Sequence, residues 1–124
     1  MANAVEYFKE ALQTGIHVMS HGEAFNTLFD GFANNGLYLM DEPESALSPQ
    51  NQMRLLSRIH ALSQNGSQFI IATHSPILLS YYDAVILNAD DLLRPVEFKE
   101  TDIYNIYRRF LENPERMQKY LFDD

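Results

Sequence analysis

The chain has 124 residues, a length typical of a single domain of roughly 100–150 residues. Apolar residues make up 46% and charged residues 21%, as in soluble globular proteins, which argues against a disordered segment, a fibrous repeat or a coiled coil. The net charge of −8 is too acidic for unaided binding to a phosphate backbone. The absence of cysteine excludes disulfides, thiolate metal sites and a cysteine nucleophile.

The N-terminal third predicts two helices. Apolar spacing predicts one over 3–14, which Gly15 ends, and a second over 20–34, which the Asn-Asn-Gly sequence at 34–36 ends. Residues 16–19 form a brief apolar approach to the second helix. The chain starts without the basic and apolar segments of a signal peptide, and no stretch reaches the ~20 apolar residues that cross a bilayer. We therefore expect a cytoplasmic domain without membrane insertion.

Two continuous apolar runs, at 37–40 and 69–72, predict strands that are buried on both faces, as in a parallel sheet covered by helices. Between them, Ser48 as N-cap and Pro49 at the first helical position predict the start of a helix, and Gly66 predicts its end. The buried stripe of this helix is predicted at Met53, Leu56, Ile59 and Leu62.

The C-terminal part predicts shorter elements. A helical turn around 78–79 is followed by a third apolar run at 84–87 and by a short edge strand at 95–98. Thr101 and Asn113 begin two terminal helices. The aromatic residues of these helices are expected to pack onto the sheet, with a docking surface for a partner as the alternative. They are Tyr104, Tyr107, Phe110, Tyr120 and Phe122.

The alternation of strands and helices indicates the fold class. It predicts a single α/β domain over 1–124, in which a mainly parallel sheet is flanked by helices, with a helical segment over 101–124. The two buried runs, separated by one helix, match a βαβ crossover. Such a crossover brings the carboxyl ends of both strands to the same edge of the sheet.

Chemistry-bearing residues follow both buried runs. Asp41 and Glu42 end the first run, at the edge where ligands bind in open α/β sheets. One carboxylate can hold the water shell of Mg²⁺, and the other can take a proton from, or orient, an attacking water. His74 ends the second run and can donate a hydrogen bond to a phosphate oxygen. The alternatives are two solvated acids that open a loop and a structural histidine.

The segment 20–23, Ser-His-Gly-Glu, has two compatible interpretations. As local structure it is a capping box, with Ser20 at the N-cap and Glu23 three residues later. As a helix N-terminus that contains a glycine, it presents backbone N–H groups and the positive end of the helix dipole to an anion.

Taken in chain order, these segments resemble the second half of an ABC-type ATPase domain, which has the P-loop NTPase fold. The matching motifs are the signature at 19–23, Walker B at 37–42, the D-loop at 45–48 and the switch histidine at 74. The resemblance is to the soluble ATPases of the ABC and AAA_21-like group, which are relatives of the RecF, SMC and OLD proteins. It spans about residues 16–88.

The resemblance implies ATP and Mg²⁺ as cofactors. Asp41 would help to hold Mg²⁺, Glu42 would polarise the hydrolytic water, and His74 would contact the γ-phosphate. In a head-to-tail homodimer, the signature would reach the γ-phosphate bound to the opposite subunit, and the D-loop would lie across the interface. The signature residues are Ser20, Gly22 and Glu23, and the D-loop residues are Ser45, Ala46, Leu47 and Ser48.

The phosphate-binding P-loop is missing from these 124 residues. It requires Gly-x-x-x-x-Gly-Lys-Ser/Thr, and none of the three lysines (Lys9, Lys99 and Lys119) follows a glycine. Because phosphoryl transfer depends on positioning and charge stabilisation, we expect the C-terminal half of a longer ATPase, inactive alone. His21 and Ser48 also differ from the Gly and Asp of many family members, without being inactivating.

Three functions remain open at this point. The first is the catalytic half of an ATPase that delivers a conformational change to DNA or to a protein partner. The second is a non-enzymatic interaction module that keeps the fold and contacts a P-loop-bearing partner through the signature helix. The third, a metal-dependent phosphohydrolase built on Asp41, Glu42 and His74, is disfavoured because a two-metal site needs a further carboxylate.

Overall fold

The computed structural model describes residues 16–19 and 35–123. These residues belong to two compact units, the first ending at Leu78 and the second beginning at Leu79. The helices predicted over 3–14 and 20–34 lie outside the described residues. Within the described ranges, every helix is too short or too polar to cross a membrane.

The first unit contains a three-stranded parallel sheet in the order β1-β2-β3. Its strands are β1 (Ile16–Met19), β2 (Leu37–Asp41) and β3 (Gln68–Ala72). At the carboxyl edge of the sheet, Met19 lies opposite Met40, and Asp41 lies opposite Ala72. The described part therefore has the mixed α/β architecture with a parallel sheet that the sequence predicts.

The strand β1 is the element that the sequence pattern does not reveal. The sequence predicts residues 16–19 as an approach to a helix, but all four residues pair with β2, beginning with Ile16 opposite Leu37. A run of four residues, three of them apolar, is too short for its periodicity to distinguish a strand from a lead-in segment. The neighbouring strand, about 20 residues further along the chain, is what makes it a strand.

The central strand β2 carries the core of the first unit. Tyr38, Leu39 and Met40 are each at most 1% exposed. Because successive side chains of a strand point to opposite faces, three consecutive buried residues require that both faces of the sheet are covered at β2. This confirms the prediction for the first apolar run.

The strand β3 is more exposed than its sequence predicts. Its residues alternate between exposed and half-buried, and Ile70 is 43% exposed. The prediction of burial on both faces is therefore wrong for 69–72. The reason is that one face of β3 is open: Ile70 lies on that face, whereas Phe69 and Ile71 on the other face are half-buried.

The crossover between β2 and β3 is helix α1 (Pro49–Gln64). Its predicted start is confirmed, because Asn51 N–H donates to Ser48 Oγ at 3.2 Å. After the helix, Gly66 adopts a left-handed φ of 90°, which a glycine does without steric cost.

The predicted buried face of α1 is partly wrong. Leu55, Ile59 and Leu62 are buried, whereas Met53 is 55% exposed and Leu56 is half-buried. The stripe at 55, 59 and 62 keeps the i, i+4, i+7 spacing of a helix face. Sequence periodicity alone allows either phase, and packing against the sheet selects this one.

The side chain of Tyr38, in the central strand β2, is tightly packed. Its ring stacks on Phe69 with centroids 5.1 Å apart and planes inclined by 21°. A Cβ atom at Gly36 would lie 2.6 Å from the Tyr38 ring, so the glycine makes room for the ring. Burial raises the pKa of Tyr38 above its usual value of 10.0, and the weaker effect of the Arg58 charge lowers it.

The short helix α2 (Pro76–Leu79) follows β3. In the second unit, β4 (Ile86–Asn88) and β5 (Arg94–Val96) form an antiparallel pair. The third apolar run, at 84–87, therefore begins a small separate sheet. The edge strand predicted at 95–98 is present with shifted bounds, because Phe98 already begins a short 3-10 turn.

Two helices end the second unit, α3 (Asp102–Glu112) and α4 (Pro114–Phe122). Both predicted starts are confirmed, because Thr101 Oγ1 accepts from Tyr104 N–H at 3.1 Å and Asn113 Oδ1 accepts from Arg116 N–H at 3.2 Å. Neither helix has a buried residue. Three of their aromatic residues are at least half exposed: Tyr107, Tyr120 and Phe122.

Mutation can compare the predicted and the observed buried faces of α1 directly. Leu55→Ala is expected to lower the free energy of unfolding by about 2–5 kcal/mol, because it opens a cavity in the core. Met53→Ala on the same helix serves as the matched control and should change it by less than about 0.5 kcal/mol. Urea unfolding followed by circular dichroism measures both. Equal losses for the two variants would contradict the assigned face.

Stability at high pH should depend on Tyr38. The folded pKa lies above the unfolded value of 10.0, so above about pH 10 the unfolded chain loses this proton first. The free energy of unfolding then falls as the pH rises through that window. Tyr38→Phe should flatten the decline between pH 9 and 11, whereas Tyr120→Phe, at an exposed position, should leave it unchanged. The check is urea unfolding repeated across this pH range, and an identical decline in both variants would refute the prediction.

Candidate functional site at the carboxyl edge of the sheet

The chain leaves β2 through a strained turn. Asp41 is the last residue of the strand, and Glu42 N–H still donates to Ala72 O at 2.8 Å, so the ladder extends one residue further. Glu42 then adopts left-handed backbone, with φ 47° and ψ 54°. This conformation is costly for a non-glycine residue and is concentrated at functional sites. Ser45 holds the turn, because its N–H and its Oγ both donate to the Glu42 carbonyl oxygen, at 3.2 and 3.1 Å.

Glu42 and His74 meet at this edge although they lie 32 positions apart in the sequence. The Nδ1 atom of His74 lies 3.4 Å from Glu42 Oε1, and the two side chains are 78% and 47% exposed. An ion pair this exposed adds little stability even when the imidazole is protonated. The contact is informative because it places a carboxylate and an imidazole together at the carboxyl ends of neighbouring parallel strands.

Glu44 is a site residue that the sequence analysis missed. Its carboxylate accepts two hydrogen bonds from the segment after β3: Thr73 Oγ1 donates to Oε1 at 2.6 Å, and His74 N–H donates to Oε2 at 2.9 Å. The sequence contains Glu44 as part of the Asp-Glu-Pro-Glu segment, but no spacing rule connects it with Thr73. The signal that could have found it is the parallel pairing, which brings the segments after β2 and β3 together.

Gln52 is a second missed residue, in the first turns of α1. Its Nε2 donates to Leu47 O at 3.2 Å, and its Oε1 accepts from Ser75 Oγ at 2.6 Å. Ser75 is only 3% exposed, and its Oγ also accepts from Leu78 N–H at 3.1 Å at the start of α2. The Gln52 side chain therefore joins Leu47, in the segment 45–48, to Ser75, the residue after His74.

The segment predicted as the D-loop lies mostly on the surface. Ser45, Ala46 and Ser48 are exposed, whereas Leu47 is half-buried. A short 3-10 turn over Pro43–Ala46 gives the segment its shape, and Leu47 N–H donates to Glu44 O at 2.9 Å. The exposed residues are accessible to another chain.

The predicted signature residues Ser20, Gly22 and Glu23 lie outside the described residues. The strand that precedes them is described, and it ends at Met19 opposite Met40. β1 therefore ends at the same sheet edge at which Asp41 and Glu42 leave β2.

Asp41 fits the role of a magnesium ligand. It is half-buried at the strand end and offers a carboxylate oxygen, the ligand type that Mg²⁺ prefers. Among residues 16–19 and 35–123, no three His, Cys, Asp or Glu side chains are arranged to hold a metal ion by themselves. In nucleotide sites Mg²⁺ takes one or two protein carboxylates together with phosphate oxygens and water, so a single aspartate matches this type of site.

Comparison with curated proteins finds a relative that shares part of this chain. The relative is described as “Putative ABC transporter ATP-binding protein” of Caldanaerobacter subterraneus subsp. tengcongensis, and it is 31% identical over 65 residues. The aligned segment covers 51% of this chain and 27% of the relative, so this chain corresponds to much less than the whole length of that protein. No solved protein structure matches the chain significantly.

A family profile covers the part of the chain that carries the site. The family described as “AAA domain, putative AbiEii toxin, Type IV TA system” (AAA_21) matches residues 16–80. The matched region begins with β1 and includes both strands that lead into Asp41, Glu42 and His74. It comprises more than half of the 124 residues, and the chain therefore belongs to the AAA_21 family of ABC- and AAA-type ATPase domains.

Proposed function

We propose that this chain is the signature, Walker B and switch-histidine half of an ABC-type ATPase, and that it hydrolyses ATP when the P-loop-bearing part is present. The observation that carries the proposal is the juxtaposition of Glu42 and His74, 3.4 Å apart at the ends of adjacent parallel strands. Membership of an ATPase family, which implies the use of ATP and Mg²⁺, supports it.

In this proposal each of three side chains has one role. Asp41 holds Mg²⁺, which when bound neutralises charge on the phosphate oxygens. Glu42 accepts a hydrogen bond from the attacking water and orients it. His74 donates a hydrogen bond to the γ-phosphate. The left-handed backbone of Glu42 turns the chain away from β2 at the residue that carries the proposed catalytic carboxylate.

The contact between Glu42 and His74 decides which ring nitrogen is assigned to the phosphate. The Nδ1 atom of His74 lies 3.4 Å from Glu42 Oε1, so the other nitrogen, Nε2, is the atom that we assign to the γ-phosphate. A hydrogen-bond donor placed there stabilises the charge that develops during phosphoryl transfer.

The proposed assembly is a head-to-tail homodimer with ATP between the subunits. Ser20, Gly22 and Glu23 contact the nucleotide of the opposite subunit, and residues 45–48 lie across the interface. The exposure of Ser45 and Ser48 supports this role. DNA or a protein partner would bind through regions outside this acidic chain, in the cytoplasm.

A non-enzymatic interaction module is the second candidate. It is favoured by one observation, the absence of a Gly-x-x-x-x-Gly-Lys motif from the 124 residues. In that case the fold would contact a separate P-loop-bearing partner through the signature helix. The genomic sequence upstream distinguishes the two, because a P-loop motif in the same reading frame supports the ATPase.

The first test removes the proposed catalytic carboxylate from the full-length product of the gene. Glu42→Gln is expected to lower kcat for ATP hydrolysis by at least about 100-fold, because positioned acid–base groups contribute on the order of 10²–10⁴. ATP binding should persist. Glu115→Gln, at an exposed position in α4, is the matched control and should keep full activity. Comparable turnover in the Glu42 variant and the control would refute the assignment.

The second test uses the 124-residue chain alone. Without the P-loop lysine and its backbone amides, it is expected to release phosphate from Mg-ATP no faster than its own Glu42→Gln variant. Isothermal titration calorimetry with millimolar ATP should show weak binding or none. Turnover clearly above the Glu42→Gln background would mean that these residues form a complete site by themselves.

A further inference from the structure

Glu44 connects the turn after β2 with the segment after β3 through both of its carboxylate oxygens. We propose that Glu44 is a positioning residue that holds the backbone of His74 so that its imidazole faces Glu42. The catalytic meaning of this role rests on the proposed ATPase function, but the positioning itself does not.

The geometry supports an anchor at three consecutive residues. Glu44 accepts from the Thr73 hydroxyl at 2.6 Å and from the His74 N–H at 2.9 Å. Thr73 Oγ1 in turn accepts from Ser75 N–H at 3.0 Å. Hydrogen bonds to an ionised carboxylate are about twice as strong as neutral ones. Glu44 therefore restrains the chain on the N-terminal side of the His74 Cα atom, and the Thr73 hydroxyl that it holds restrains the Ser75 N–H on the other side.

The contact between the catalytic side chains needs such an anchor. The His74 side chain is 78% exposed, and its pair with Glu42 is open to water at 3.4 Å. An exposed pair of this kind adds little stability, so it does not by itself fix the orientation of His74. Glu44 accepts one hydrogen bond from the His74 backbone N–H and one from the Thr73 hydroxyl, so neither bond involves the imidazole.

The backbone of Glu42, whose carboxylate faces His74, is also held by hydrogen bonds. Glu42 N–H donates to Ala72 O, and the Glu42 carbonyl oxygen accepts from Ser45. With Glu44 holding His74, both backbones are fixed before any nucleotide binds. Fixing reacting groups in advance lowers the entropic cost of reaching the productive geometry.

Two substitutions of Glu44 separate the hydrogen bonds from the bulk of the side chain. E44A removes both acceptor oxygens. E44Q keeps the length of the side chain and one acceptor oxygen, which can receive the His74 N–H. Glu115→Ala, at an exposed position in α4, is the control for the loss of a surface carboxylate.

The test is amide hydrogen exchange of the 124-residue chain, measured by NMR. In E44A the His74 amide is expected to exchange at least about tenfold faster, because a hydrogen bond to a charged group is lost. The Glu42 amide, which donates to Ala72 O, should keep its rate within about twofold. E44Q should restore the His74 rate to within about threefold of the wild type, and Glu115→Ala should leave both amides unchanged.

Three results would overturn the proposal. One is an unchanged His74 amide in E44A. Another is the loss of protection at Glu42 and throughout β2 and β3 by the same factor as at His74, since this would give Glu44 a purely structural role. The third result applies if E44A does not fold. In that case T73V replaces E44A, because it removes the hydroxyl that donates to Glu44, and T73S restores that hydroxyl. A His74 amide that is equally protected in T73V and T73S contradicts the proposal.

Activity provides a separate readout in the full-length protein. E44A should lower kcat for ATP hydrolysis about tenfold and leave KM for ATP unchanged, with recovery in E44Q. If Glu42→Gln leaves ATP hydrolysis intact, the proposed function fails while the exchange result still decides the position of His74. If Glu42→Gln abolishes hydrolysis but E44A changes KM alone, the positioning role fails and the proposed function stands.

Discussion

The parallel pairing of β2 with β3 is the constraint on which the site depends. Two parallel strands need a crossover, and α1 provides it between Ser48 and Asn65. Both strands then end at the same edge of the sheet, so the residues that follow them meet although they lie about 30 positions apart. The bonds from Thr73 and His74 to Glu44, and the approach of His74 to Glu42, are direct consequences of this pairing.

The same strand supplies both the rigid core and the exposed chemistry. Tyr38 to Met40 are almost fully buried, whereas Glu42, two residues later, has a half-exposed side chain and left-handed backbone. The buried residues fix the position and the direction in which the chain leaves the end of β2. The carboxylates are therefore presented to solvent from a rigid base, which is what a site needs in order to act on a phosphate group.

Local signals were sufficient for part of the fold. The starts of α1, α3 and α4 follow from Ser48, Thr101 and Asn113, because a capping side chain bonds to an N–H only three residues away. Features that depend on distant residues were missed or misplaced. The short run at 16–19 is a strand only because β2 lies beside it, and the α1 stripe is set by the surface on which the helix packs.

The sequence by itself determined which chemical groups are available and in which order the chain presents them. Asp41 and Glu42 after one apolar run, His74 after the next, and the lack of a lysine after glycine are all properties of the chain as written. Only the tertiary structure decided that Glu44 and Gln52 connect these segments. The physical reason is that a side-chain hydrogen bond depends on distances of a few ångströms, and neither residue has a partner of the right kind that sequence spacing could identify. Packing brings those partners within reach from about 20 to 30 positions away.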